Sequence, residues 1–210
     1  MIRLRVDPTH PSPGALRQAV TVLARGGVVA YPTDTLYGLA VDPARGSAVE
    51  ALFRVKAREA AHAIPLIAAD LSQVERVGRM TALAGELALR FWPGPLTLVI
   101  EARPGVSEAV LARTGRVAVR IPDHRLAQAL ADAAGCALTS TSANRSGQAA
   151  PSTADGVASV LGDEVDLLLD GGPSPGGLPS TIVDVSGDEP VLVRAGAVAW
   201  GRVLESLRRR

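Results

Sequence analysis

The stretch Val-Val-Ala-Tyr-Pro-Thr-Asp-Thr-Leu-Tyr-Gly-Leu, residues 28–39, joins a short apolar run to a group of polar side chains. The apolar run, residues 28–31, predicts a buried β-strand, and Pro32 marks its end. The polar residues Thr-Asp-Thr, 33–35, follow directly. Because loops at the ends of buried strands often carry functional side chains, this stretch predicts a core strand that leads into a candidate site.

Helical patterns lie on both sides of this strand. Ser12 and Pro13 are typical of a helix start, and apolar residues at helical spacing continue to the stop signal Gly26-Gly27. A second helix is predicted to begin near Ser47, which places Lys56 at or just past its end. A helix, a buried strand and another helix in succession indicate an α/β protein.

The same alternation continues along the chain. Further strands are predicted at residues 65–69, 96–100, 117–121, 166–169, 180–185 and 191–194. Further helices are predicted near residues 81–91, 125–134, 153–161 and 197–209. The glycine- and proline-rich run 171–177 is predicted to be a mobile loop. We therefore expect a single α/β domain over residues 1–210, with a large twisted mixed sheet flanked by helices.

Composition limits the classes of function. Aromatic residues are only 3% of the chain, so stacking platforms for single-stranded nucleic acid are scarce. The net charge of +1 gives no general attraction to nucleic acid or to anionic membranes. Any anion site must therefore be built from a local group of basic side chains, and no G-x-x-x-x-G-K-[ST] or G-x-G-x-x-G motif is present to cradle phosphate.

The single cysteine and the N-terminus predict the compartment. Cys136 excludes an internal disulfide framework and fits a reducing cytosol, and its apolar neighbours predict a core strand rather than a catalytic thiol. The N-terminus has no apolar run of secretory length, and no later run is long enough to span a membrane. We expect a soluble cytoplasmic protein.

Lys56 is the only lysine among the 22 basic residues, and it lies two positions before Arg58. A lysine ammonium is a compact, mobile point charge, whereas guanidinium is a planar fork. Phosphate oxygens are a common place for that difference to matter. Chance survival in an arginine-rich composition is the alternative explanation for a single lysine.

Other polar segments have structural explanations when each is taken alone. Residues 33–35 are typical of a turn, and residues 140–142, Ser-Thr-Ser, are typical of a helix cap. Arg120, in a predicted strand, is compatible with pairing to a carboxylate. The combination of these segments is more informative than any one of them.

Together these segments resemble the YrdC-type threonylcarbamoyl-AMP synthase family in its short, single-domain form. The matching stretches, in the order that the family shows, are residues 32–39, Lys56-x-Arg58, 92–97 (Trp-Pro-Gly-Pro-Leu-Thr), 117–122, 142–147, 179–184 and Arg194-x-Gly196. Each stretch is weak alone, but their order covers nearly the whole chain. The resemblance implies a YrdC-like fold with a concave, charged cavity.

The resemblance also implies a reaction. The family joins L-threonine, bicarbonate or CO2, and ATP into threonylcarbamoyl-AMP and pyrophosphate, an intermediate for threonylcarbamoyladenosine in tRNA. The partners implied are these three substrates and the downstream tRNA threonylcarbamoyl-transfer proteins, with weak tRNA binding as a further possibility. This chemistry needs alignment of anions rather than a side-chain nucleophile, which agrees with the lack of an evident Ser-His-Asp or Cys-His arrangement.

Roles for individual residues follow from the same resemblance. The residues implied to bind ATP are Lys56, Arg58, Arg116, Ser142, Asn144 and Arg194, with Lys56 and Arg58 as the catalytic pair on the phosphates. The residues implied to bind threonine are Thr35, Arg120, Ser140 and Ser180. Asp34 is expected at most to organise its loop. Mg2+ is expected to arrive with ATP and to have no dedicated protein site.

The sequence departs from the family's pattern after Arg58. Residues 59–64, Glu-Ala-Ala-His-Ala-Ile, replace a shorter polar link, and Ala69 stands near a position where longer relatives carry histidine. Contacts that the family draws from this link are therefore in doubt. His62 is expected to be a solvated side chain.

Two alternative functions stay open at the level of sequence. One is the carbamoyl-adenylate-handling domain of hydrogenase maturation proteins, which normally lies within a much longer chain. The other is a non-catalytic RNA-binding module of the same fold, against which the low net charge and the few aromatic residues count.

Overall fold

The structure is a computed structural model that describes residues 1–57 and 63–208. Its helices are α1 Pro13–Ala24, α2 Gly46–Lys56, α3 Leu71–Val77, α4 Ala82–Phe91, α5 Glu108–Leu111, α6 Arg125–Ala134, α7 Ala154–Leu161 and α8 Trp200–Arg208. Its strands are β1 Ile2–Arg5, β2 Val29–Tyr31, β3 Gly38–Ala40, β4 Leu66–Ile67, β5 Leu96–Glu101, β6 Arg116–Arg120, β7 Leu138–Thr139, β8 Thr141–Ser142, β9 Leu167–Asp170, β10 Thr181–Asp184 and β11 Val191–Arg194.

The strands form two mixed sheets. The five-stranded sheet has the order β1-β9-β2-β3-β8, with β1, β9 and β2 parallel and β3 antiparallel to β2. The six-stranded sheet has the order β11-β10-β5-β6-β4-β7. The α/β class is confirmed, but the strands are divided between two sheets and do not form the one large sheet that the sequence predicted.

Local sequence explains where the main helices begin and end. The Ser12 side chain accepts a hydrogen bond from the backbone N–H of Ala15, and Pro13 fills the first helical position of α1. The His124 ring accepts from the N–H of Ala127 and caps α6 in the same way. Gly135, at φ 70°, then ends α6 in the left-handed conformation that glycine adopts most easily.

The central strands β2, β3 and β9 of the five-stranded sheet are buried. Val29 and Tyr31 of β2 pack toward α1 and α6, together with Leu23 and Leu130 of those helices. Ala30, between them, points to the opposite face and joins the larger core. This double burial is typical of parallel strands covered by helices.

The six-stranded sheet buries only one face in the core. Leu98 and Ile100 of β5 and Val119 of β6 belong to the main apolar cluster. The alternate residues Thr97 and Val99 lie on the opposite face, which lines a cavity. The polar residues of this sheet are therefore collected on the cavity side.

One expectation about a single residue needs correction. Cys136 does not lie in a core strand: it is half-buried in the turn between Gly135 and β7, which begins only at Leu138. Residues 171–177, predicted to be mobile, are tied to the rest of the fold. The Gly176 N–H donates to the Thr35 carbonyl at 2.9 Å, and the Tyr37 hydroxyl donates to the Gly172 carbonyl at 2.7 Å.

Candidate functional site

A cavity of about 860 Å3 lies between the concave face of the six-stranded sheet and the loop that follows β2. The predicted site residues that line it are Thr35, Lys56, Arg120, Ser140, Ser142, Asn144, Ser180 and Arg194. These residues come from six separate regions of the sequence, and the two-sheet topology brings them together. The cavity holds cations and hydroxyls, so it can align anionic groups.

Among the described residues, one predicted site residue, Arg116, does not line the cavity. Arg58 lies outside the described residues, and so does His62. Arg116 is at the first residue of β6, where its side chain is 52% exposed and its Nη1 donates to Asp184 Oδ2 at 2.7 Å. Arg116 is not among the residues that line the cavity, because the neighbouring carboxylate holds it at the sheet surface.

Lys56 is buried, with 4% of its surface exposed. Its ammonium donates to the Ser142 carbonyl at 2.6 Å and to Asn144 Oδ1 at 2.8 Å. Lys56 is the last residue of α2, and its own carbonyl accepts from the Ser146 N–H at 2.9 Å. The ammonium is therefore held in place beside the loop after β8.

Ser142 and Asn144 form one unit with that ammonium, and we call Lys56, Ser142 and Asn144 the lysine cluster. The Ser142 hydroxyl donates to Asn144 Oδ1 at 2.5 Å. The Asn144 amide donates in turn to the Gln148 carbonyl at 2.6 Å, which fixes the orientation of the amide. A fixed ammonium beside a hydroxyl and an amide is suited to phosphate oxygens.

Arg120 forms a buried ion pair with Asp34, whose role the sequence left as loop organisation at most. Arg120 Nη1 lies 2.5 Å from Asp34 Oδ1, and the two side chains are 6% and 8% exposed. Asp34 Oδ2 also accepts the backbone N–H of Asp123 at 3.2 Å. Asp34 thus joins the loop after β2 to the end of β6, and it orients the guanidinium.

Among the described residues, the remaining N–H groups of Arg120 have no hydrogen-bond partner. Within residues 1–57 and 63–208, Arg120 makes its hydrogen bonds through Nη1 only, to Asp34 and to the Gly94 carbonyl at 3.4 Å. Its Nε and Nη2 are therefore available to a ligand in the cavity. A planar guanidinium with two such donors matches a carboxylate.

Arg194 lies at the end of β11, close to Arg120. Its Nη2 donates to the Ser180 carbonyl at 2.7 Å and to the Ser180 hydroxyl at 3.2 Å. Loss of solvent at the cavity wall, together with the nearby Arg120 guanidinium, lowers the pKa of Arg194. We call Asp34, Arg120, Ser140, Ser180 and Arg194 the arginine cluster.

Several hydroxyl residues at this site were not predicted as site residues. Thr33, Thr97, Thr114 and Ser146 line the cavity. The hydroxyls of Thr33 and Thr35 lie 3.1 Å apart and share a hydrogen bond. Thr33 therefore belongs to the polar loop that follows β2. Thr97 was recognisable from its strand, because a threonine that alternates with Leu96 and Leu98 points away from the core.

Among residues 1–57 and 63–208, no group of three or more His, Cys, Asp or Glu side chains is placed to hold a metal ion. No helix in the same part of the chain is long and apolar enough to cross a bilayer.

Comparison with known proteins gives consistent matches. Residues 21–196 match the Sua5/YciO/YrdC family model, which carries the description "Telomere recombination". A Vibrio vulnificus protein named threonylcarbamoyl-AMP synthase is 39% identical over 184 residues, which are 86% of this chain and 98% of that protein. A Bacillus subtilis protein of the same name is 38% identical over 185 residues, 87% of this chain and 54% of that protein.

Solved structures agree with these sequence matches. The crystal structure of Pyrococcus abyssi Sua5 complexed with L-threonine superposes with a TM-score of 0.94 at 31% identity, over 99% of this chain and 61% of that chain. This chain thus spans little more than half the length of the B. subtilis and P. abyssi relatives. The family model and the V. vulnificus relative each cover most of this chain. The chain therefore belongs to the Sua5/YciO/YrdC family.

Proposed function

We propose that this protein is an L-threonylcarbamoyladenylate synthase, a nucleotidyltransferase. It would form threonylcarbamoyl-AMP and pyrophosphate from L-threonine, bicarbonate or CO2, and ATP. The observation that carries the proposal is the cavity itself, in which the lysine cluster and the arginine cluster share one hollow of about 860 Å3. The names of the relatives and the threonine bound to P. abyssi Sua5 support it.

The arginine cluster is the proposed threonine site. Arg120 is oriented by Asp34 and keeps Nε and Nη2 for the substrate carboxylate. Ser140, Ser180 and Thr35 supply hydroxyls around it. This assignment leaves the amino group of threonine directed toward the rest of the cavity, where it can be carboxylated.

The lysine cluster is the proposed phosphate site. Lys56, Ser142 and Asn144 would hold the ATP phosphates, and Arg194 stands on the wall that both substrates approach. Arg58 stays a prediction, as does Arg116, which would have to leave Asp184 to reach the nucleotide. Mg2+ would arrive as MgATP, because the protein donors near the lysine cluster are neutral oxygens that suit a hydrated ion.

The reaction follows from this arrangement. The threonine nitrogen attacks the carbon of CO2 and loses a proton, which gives a carbamate. A carbamate oxygen then attacks the α-phosphorus of ATP, the bond between that phosphorus and the α-β bridging oxygen breaks, and pyrophosphate leaves. The protein contributes alignment and charge stabilisation, and no covalent enzyme intermediate is required.

The product would pass to tRNA threonylcarbamoyl-transfer proteins. We propose that the reaction takes place in the cytoplasm. Threonylcarbamoyl-AMP is an activated mixed anhydride, so a protein that accepts it directly would protect it from water. Weak tRNA binding by this chain is a further possibility that the net charge of +1 does not favour.

Pyrophosphate release tests the proposal. We expect release that requires ATP, L-threonine and bicarbonate together, and that stops when any one is omitted. An RNA-binding module would instead bind tRNA with an affinity that falls steeply as salt is added, and would release no pyrophosphate. Release that is independent of L-threonine would overturn the assignment.

A further inference from the structure

A buried hydroxyl stands behind each of two serines in the arginine cluster. The Tyr31 phenol donates to Ser140 Oγ at 2.9 Å, and the Thr97 hydroxyl donates to Ser180 Oγ at 2.8 Å. Tyr31 is 0% exposed and Thr97 is 1% exposed. Tyr31 contacts Ser140 from the side of the protein interior, and Thr97 contacts Ser180 from the cavity face of β5.

The direction of both hydrogen bonds is set by burial. Among the described residues, the phenol proton of Tyr31 has no acceptor other than Ser140, and the hydroxyl proton of Thr97 has none other than Ser180. If either bond ran in reverse, a buried O–H would be left without a partner, which costs about 1–3 kcal/mol. Burial also raises the pKa of Tyr31 to about 12, so the phenol keeps its proton at neutral pH.

The serines are left with a defined polarity. A hydroxyl has one proton and two lone pairs. The Ser180 oxygen accepts from Thr97 and from Arg194 Nη2, so its lone pairs are occupied and only its proton is available to a ligand. The Ser140 oxygen accepts from Tyr31, which occupies one of its two lone pairs and leaves its proton for a ligand.

Both protons are presented near the same guanidinium. Arg120, Ser140 and Ser180 all line the same cavity, and the charges of Arg120 and Asp34 act in opposite directions on the pKa of Tyr31, whose hydroxyl contacts Ser140. Arg120 also acts on Arg194, which holds Ser180. The cavity therefore offers a guanidinium flanked by two O–H donors, an arrangement that takes a group with only acceptor atoms.

We propose that Tyr31 and Thr97 are positioning residues that fix Ser140 and Ser180 as donors toward the carboxylate of the amino acid substrate. This inference rests on the proposed function, because it assumes that the arginine cluster holds L-threonine. It adds two residues that do not act on substrate directly. It also predicts that Tyr31 and Thr97 affect the binding of the amino acid and do not affect the binding of the nucleotide.

The test uses calorimetric binding of L-threonine and of ATP, with pyrophosphate release measured in parallel. Tyr31→Phe and Thr97→Val each remove one hydroxyl and keep the side chain's shape. We expect each to weaken L-threonine binding about fivefold to tenfold, the effect of one lost hydrogen bond, and to leave ATP binding within about twofold. Thr97→Ser keeps the hydroxyl and is expected to restore L-threonine binding.

Thr181→Val is the matched control. Thr181 is as buried as Thr97 and adjoins Ser180, but its hydroxyl donates to the Val198 carbonyl at 2.6 Å and takes no part in the cavity. We expect its L-threonine affinity to stay within about twofold of the parent. Equal losses in Thr97→Val and Thr181→Val would mean a purely structural effect and would overturn the inference.

The two proposals fail differently. If the parent protein binds L-threonine but releases no pyrophosphate, the proposed activity fails, while selective loss of binding in Tyr31→Phe and Thr97→Val still supports the inference. If the parent is active and both variants bind L-threonine as the parent does, only the inference fails. If the parent does not bind L-threonine, both fail.

Discussion

Lys56 joins a structural role to a binding role in a single ammonium. Its contacts with Ser142 and Asn144 hold the loop after β8 against the end of α2. The same ammonium faces the cavity in which the triphosphate is proposed to bind. A change at Lys56 therefore affects stability as well as nucleotide binding.

Replacing Lys56 with methionine tests both roles. Lys56→Met removes the hydrogen bonds that the ammonium donates to the Ser142 carbonyl and to Asn144 Oδ1, so we expect a loss of about 1–3 kcal/mol in the free energy of unfolding. We also expect a higher KM for ATP. Urea denaturation and steady-state kinetics measure the two effects. Arg54→Met, at an exposed position two residues earlier in α2, is the control and should change neither.

The Asp34–Arg120 pair predicts a large effect at a single carboxylate. Asp34→Ala leaves a buried guanidinium without its counter-charge, which we expect to cost about 3 kcal/mol of unfolding free energy. Glu164→Ala breaks the exposed pair with Arg145 and should cost less than about 1 kcal/mol. Denaturant titration at neutral pH compares them. Similar losses in both variants would show that the buried Asp34–Arg120 pair contributes no more to stability than an exposed pair does.

For individual residues, the sequence predicted which side chains belong to the site better than it predicted their burial and their partners. Lys56, Ser142 and Asn144 were named together because their motifs resemble a family, and the structure places them in contact. The burial of Lys56 and the partner of Arg120 depend on long-range packing between α2 and β8, and between the loop after β2 and β6. Pairings across 86 residues leave no local pattern in a single sequence.

Gly196, which follows β11, packs against the backbone just before β10, where Ser180 lies. A Cβ atom on Gly196 would lie 2.3 Å from the Pro179 carbonyl oxygen and 2.5 Å from the backbone of Ser180. We expect Gly196→Ala to displace Ser180, to cost about 1–3 kcal/mol of unfolding free energy, and to raise the KM for L-threonine. Gly201→Ala, in open space on α8, should be stabilising by about 0.5–1 kcal/mol without a kinetic effect. Thermal melts and kinetics measure both variants, and an unchanged KM in Gly196→Ala would contradict the account.

The start of α6 predicts a pH dependence of stability. Burial lowers the pKa of His124 below its ordinary 6.5. The Asp34 and Asp123 carboxylates act to raise this pKa, and the Arg120 guanidinium acts to lower it further. The unfolded chain therefore binds more protons at this histidine than the folded protein does. Its contribution to stability is complete above about pH 6.5 and is lost as the pH falls.

His124→Asn measures this contribution. Asparagine keeps an N-cap acceptor but does not titrate, so we expect a smaller fall in Tm between pH 7.5 and 5.5 than the parent shows. Calorimetry at the two pH values gives the comparison. An identical fall in both proteins would assign the pH dependence to other groups.

Element prediction succeeded where periodicity was strong and failed where elements were short or exposed. Helices α1, α4, α6 and α7 were predicted from their apolar spacing. The sequence missed β1, whose residues are mostly exposed and charged and which is held by pairing with β9. It also missed β3, α3 and the two-residue strand β8, which are too short for their periodicity to be recognised.

For the whole molecule, the division into two sheets explains how a nearly neutral chain provides an anion site. The net charge is +1, yet Lys56, Arg120 and Arg194 all reach one cavity. Asp34 partly compensates Arg120, and the other arginines within residues 1–57 and 63–208 lie outside the lining. Charge is concentrated by topology, which composition does not report.

The account depends on one arrangement, in which an amino acid and a triphosphate occupy this cavity side by side. A crystal structure with L-threonine and a non-hydrolysable ATP analogue tests it directly. We predict the threonine carboxylate on Arg120, Ser140 and Ser180, and the triphosphate on Lys56, Ser142 and Asn144. Either ligand bound outside the cavity, or the two ligands bound with these residue sets exchanged, would contradict the account.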